Sequence, residues 1–128
     1  MIKVLLSDWP KKLPLYIDSM LNRFLDIEII GRVNKNENDM YSVLNIFELF
    51  INKDPDIIIF TLLDSEEMPS ICTHLLSENP EILIMGISHQ RTRVCMMRRS
   101  VSIEEILDTS DESILMAIRQ YKSNIDLS

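Results

Sequence analysis

Glycine is almost missing from this chain: its 128 residues hold two, Gly31 and Gly86. No phosphate-cradling loop of the GxGxxG or GxxxxGK[ST] kind can therefore be built, and no GxSxG nucleophile turn occurs. Cysteine is as scarce. Cys72 and Cys95 lack a CxxC spacing, which excludes a disulfide framework and a four-cysteine zinc site and suits small buried apolar residues in a reducing compartment. His74 and His89 stand apart, with no HxH or HExxH pairing, so neither a resident metal nor another cofactor is expected. No apolar run approaches the roughly 20 residues of a membrane-spanning helix. The opening MIKVLLSD is too short for a signal peptide and is broken by Lys3 and Asp8, so a soluble cytoplasmic protein is expected. Positive charge is also in deficit, with 13 Lys and Arg against 20 Asp and Glu; the net charge of -7 disfavours nucleic acid and anionic membranes as partners.

What is present is one domain's worth of alternating apolar segments, with 46% hydrophobic residues. Ile2 to Leu6 read as a strand buried on both faces and ended by Ser7-Asp8. Leu13, Ile17, Met20, Leu21 and Phe24 recur at helical steps, which predicts a helix from Pro10 to about Leu25 with the proline in its first turn. Ile27 to Val33 read as a second strand. Met40, Val43, Leu44, Phe47 and Ile51 form a second helical stripe, stopped at Lys53-Asp54-Pro55 and followed by the strand Ile57 to Phe60. Met68, Ile71, Cys72 and Leu75 predict a third helix, and Ile82 to Met85 a fourth strand.

After Ser88 the helical spacing fails, and Arg93 to Met97 and Ile103 to Leu107 read as extended. A last helix starts near Ser110 with Ile114, Leu115 and Ile118 inward. The predicted architecture is a doubly wound α/β domain with a five-stranded, mostly parallel sheet, its fourth helix shortened or replaced by an extended segment. It spans residues 1 to 122, and 123 to 128 are expected to fray.

The βα order, the PDIIIF strand with a helix before it, and the closing TSDESILMAIRQ resemble the response-regulator receiver domain, whose last helix commonly reads SPEELLAAIR. The resemblance covers nearly the whole chain in topology and is specific in motif around residues 55 to 61 and 109 to 119. It implies a flavodoxin-like fold and a role in two-component signal transduction. Receivers use an acidic pair after the first strand, a phosphoacceptor aspartate after the third, a hydroxyl after the fourth and a lysine after the fifth. Here those positions fall on Ser7 and Asp8, on Thr61, on Gly86 with Ser88 as a substitute, and on Leu107. Thr61 cannot form an acyl phosphate, Leu107 cannot pair with a phosphoryl oxygen, and a single carboxylate weakens magnesium binding.

A degenerate phosphorylation pocket without catalytic residues is the reading favoured, that of a phosphorylation-independent pseudo-receiver that binds protein. The alternatives are an atypical magnesium-dependent phosphoacceptor using Asp8 and Asp64, with Glu66 nearby, and a small-molecule sensor around Asp8, Thr61 and Ser88. Against the first, Asp64, Glu66 and Glu67 also fit a solvated loop and an acidic helix start. Trp9 stands at the pocket's rim, as a partner's anchor or as ordinary packing. Arg91, Arg93, Arg98 and Arg99 concentrate basic charge around Met96 and Met97. This segment is a candidate interface, for a protein partner or a second copy of the chain, or else an edge strand guarded by charge.

Overall fold

The computed structural model describes residues 1–62, 70–88, 93–98, 103–106 and 108–127, the side chains of 103, 104 and 121–127 excepted. Ten elements follow one another: β1 (Ile2–Ser7), α1 (Leu15–Asn22), β2 (Ile27–Val33), α2 (Asp39–Lys53), β3 (Ile57–Leu62), α3 (Ile71–Glu78), β4 (Leu83–Ser88), β5 (Val94–Met97), β6 (Ile103–Ile106) and α4 (Asp111–Leu127). The six strands form one sheet in the order β2-β1-β3-β4-β5-β6. The first four are parallel, whereas β5 runs antiparallel to both β4 and β6. The expected count of five strands is corrected to six, because the stretch that lacks helical spacing enters the sheet twice.

Side-chain alternation along each strand divides the interior into two layers. Val4, Leu6, Ile57, Ile59, Leu83, Met85, Val94 and Met96 face Ile17, Met20 and Leu21 of α1 and Ile114, Leu115 and Ile118 of α4. Leu5, Ile58, Phe60 and Ile84 face Ile46 and Phe50 of α2 and Ile71, Cys72 and Leu75 of α3. Strands β3 and β4 are buried along their whole length, which accounts for their unbroken apolar runs. Among the described residues no helix is long and apolar enough to cross a membrane.

Three helices differ from their predicted form. Helix α1 begins at Leu15, because Pro14 is held extended at its N-cap with ψ 147°, so Pro10 lies outside the helix. Helix α2 starts where the Asn38 side chain accepts a hydrogen bond from the Met40 N–H, and ends at Asp54, whose left-handed φ of 48° directs its N–H to the Phe50 carbonyl. Its buried residues are Ser42, Ile46 and Phe50. The expected stripe is divided: Val43 and Phe47 are half-buried against the core, while Met40, Leu44 and Ile51 are exposed. Helix α4 stays helical through Leu127, beyond the limit of 122.

Candidate functional site

The carboxyl ends of parallel strands leave the sheet's polar groups without further ladder partners, and four of the buried polar side chains gather there: Ser7, Asp8, Thr61 and Ser88. The register places them side by side, with Ser7 opposite Phe60, Thr61 opposite Ile87 and Leu62 opposite Ser88. Alternation then separates them. Asp8 and Thr61 belong to the α1/α4 side of the sheet, and Ser7, Gly86 and Ser88 to the α2/α3 side.

Asp8 is occupied. Its Oδ1 accepts the Leu13 N–H at 2.9 Å and the Arg32 Nη1 at 2.8 Å, while the other guanidinium nitrogen of Arg32 pairs with Asp18 on α1. A register shift makes this contact possible: Val4 pairs with Ile29 but Leu5 pairs with Gly31, so Ile30 is an extra residue in β2. Without that bulge, the two-residue period of the strand would turn Arg32 to the opposite face. Gly31 beside the extra residue, an isolated glycine inside a strand, is the sequence's one sign of the bulge, and Arg32 was not among the residues expected at the site.

A magnesium ion requires near-octahedral oxygen ligands at about 2.0–2.1 Å. The residues here do not fit one: a guanidinium holds the single carboxylate, and no group of three or more potential ligands occurs among the described residues.

The other pocket positions are used for structure. The Ser7 hydroxyl donates to the Trp9 carbonyl at 2.7 Å and accepts the Trp9 N–H at 3.2 Å. Gly86 is a packing glycine: a Cβ there would lie 2.6 Å from Leu62 Cγ. Ser88 joins β4 to β5, its Oγ accepting the Arg93 N–H at 2.9 Å and its N–H reaching the Arg93 carbonyl at 2.9 Å. The Thr61 hydroxyl is buried without a hydrogen-bond partner. Asp64, Glu66, Glu67 and Leu107 lie outside the described residues.

The arginine segment departs from the edge-strand expectation. Val94–Met97 is an inner strand, flanked by β4 and β6, so it is not an edge that charge must guard. Met96 is 7% exposed and belongs to the α1/α4 core, which withdraws it from any surface contact. Met97 is half-buried against the other layer. Arg93 pairs across the strands with Glu105, Nε to Oε1 at 2.9 Å, and its Nη2 lies 3.6 Å from Cys95 Sγ. Arg98 is half-buried, and Arg91 and Arg99 lie outside the described residues.

Both described cysteines are free and buried. Burial pushes the Cys72 thiol up to about 12 and raises that of Cys95, which leaves both as packing groups. His74 is exposed on α3, and His89 lies outside the described residues. Trp9 is half-buried; its Nε1 donates to Asp39 Oδ1 at 3.2 Å, and its ring lines a shallow groove of about 490 Å³ with Val43, Phe47, Ile71 and His74.

Comparison with protein families, with curated proteins and with solved structures gave no significant match.

Proposed function

We propose that this chain is a phosphorylation-independent pseudo-receiver, a regulatory module of the cytoplasm that acts in signal transduction or transcription control by binding protein. The observation that carries this reading is the state of Asp8, whose carboxylate is held by Arg32 and the Leu13 N–H. In a working receiver that carboxylate must be open to a metal ion. Here a covalently attached cation stands beside it, and Thr61 takes the place of the acceptor aspartate. The parallel order β2-β1-β3-β4, with helices on both faces, supports the likeness to receivers. A sheet of this kind, stripped of its chemistry, still presents a rigid set of loops and helix faces to a partner.

Incubation with acetyl phosphate and magnesium, followed by intact-mass measurement, tests the reading. The native chain is expected to gain no phosphoryl group. An adduct that disappears in Asp64→Ala would establish an acceptor in the 63–69 segment and overturn it.

A further inference from the structure

Helix α2 carries two apolar faces, and the sheet uses only one of them. Ser42, Ile46 and Phe50 are buried against the sheet. Around the cylinder from them, Met40 is 63% exposed, Leu44 54% and Ile51 72%, with half-buried Phe47 completing the row. The steps between these four are four, three and four residues, the spacing of a coiled-coil seam over two heptads. It spans about 16 Å of helix.

We infer that this row is a self-association surface, on which α2 of one copy packs antiparallel to α2 of a second copy. The spacing reads the same in both directions, as a two-fold contact requires. Antiparallel alignment sets Met40 against Ile51 of the second copy and Leu44 against its Phe47. The flanking groups are complementary in the same alignment. Tyr41, 57% exposed, meets Glu48 of the second copy, giving a phenol donor a carboxylate acceptor, twice per dimer. The opposed helix dipoles of the antiparallel pair add to this attraction.

A membrane surface is a poorer occupant. Helices that lie on lipid rim their apolar face with Lys and Arg, whereas this row is flanked by Tyr41 and Glu48 on a chain of net charge -7. One face of a single helix makes an interface at the low end of specific contacts, so a weak, concentration-dependent dimer is expected. The inference rests on the helix face alone and stands whether or not the pocket around Asp8 can be phosphorylated.

Sedimentation velocity on the full chain, from about 1 µM to about 1 mM, tests it. The native protein should pass from monomer to dimer, and Leu44→Lys should raise the dissociation constant about tenfold or more while its melting temperature stays unchanged. Tyr41→Lys, which faces Glu48 of the second copy, should bind more tightly than Tyr41→Glu. A native chain that remains monomeric across the range, or a dimer indifferent to Leu44→Lys, overturns the proposal. Equal affinity of the two Tyr41 variants, or the reverse order, overturns the antiparallel alignment.

Discussion

The two helical layers are fastened to the sheet by different means. On the α1/α4 side, apolar packing is bordered by ion pairs: Arg23 with Asp111 at 2.6 Å, Arg119 with Asp26 at 2.8 Å, Arg32 with Asp8 and Asp18. The Arg119 guanidinium also lies 4.7 Å from the centre of the Phe24 ring. On the α2/α3 side the Arg93–Glu105 pair joins β5 to β6 without reaching a helix, and apolar side chains continue past the core onto the outer surface of α2. Exposed ion pairs contribute little stability, but they fill a surface with groups that prefer water. Leu15 on α1 and Met116 on α4 are exposed as well, but α2 carries the longer row of exposed apolar side chains.

The sharpest way to break this contrast is within α2 itself. Ile46→Ala should destabilise the fold by about 2–5 kcal/mol, the usual result of emptying a buried aliphatic site, while Leu44→Ala two residues earlier should change stability by under about 0.5 kcal/mol. Urea denaturation of both variants, at concentrations where the chain is monomeric, checks this. Equal losses would mean that the exposed row is part of the core.

Asp8→Ala tests the charged side of the contrast. Arg32 would keep Asp18 but lose its more buried partner, and the Leu13 N–H would lose its acceptor, for an expected loss of about 2–3 kcal/mol. A change within about 0.5 kcal/mol would show that the contact holds nothing together.

Gly86→Ala, on the α2/α3 side, should cost about 1–3 kcal/mol, because the added methyl meets Leu62 at 2.6 Å. Combining it with Leu62→Ala should cost less than the two losses added, since the clash is shared.

The smallest effect belongs to the exposed pairs and shows itself through pH. Hydrogen bonding from Arg119 holds the Asp26 carboxyl below its ordinary value, so folding stability gained from the pair is present above the usual aspartate range and is lost as pH falls through the depressed value. Arg119→Ala should lower the melting temperature slightly at pH 7, and the gap between native and variant should close in acid. The Ser110 N–H has the same influence on Asp108, which Arg119→Ala leaves untouched.

Much of this fold was legible in the chain, since buried parallel strands have few alternatives to runs such as Ile57 to Phe60, and Ile27–Val33 matches the observed second strand. In helix α2 the stripe of Met40, Val43, Leu44, Phe47 and Ile51 only partly meets the core, through Val43 and Phe47. Its apolar residues cover two adjoining arcs, and periodicity fixes the width of an arc without saying which part meets the sheet. The extended character of Val94–Met97 and Ile103–Ile106 was visible in the failed helical spacing, but their places in the sheet depend on pairing between distant residues. The candidate site was half visible. Asp8 and Thr61 could be located by counting along strands; Arg32 could not, because one extra residue in β2, signalled only by the neighbouring Gly31, decides which way it points.

That residue has a regulatory consequence. By turning Arg32 toward Asp8, the bulge installs a permanent counterion, one the cell cannot add or withdraw as it can a metal or a phosphoryl group. On this reading the molecule has no chemical off state at this pocket, and a weak α2 pairing would respond to how much of the protein is made.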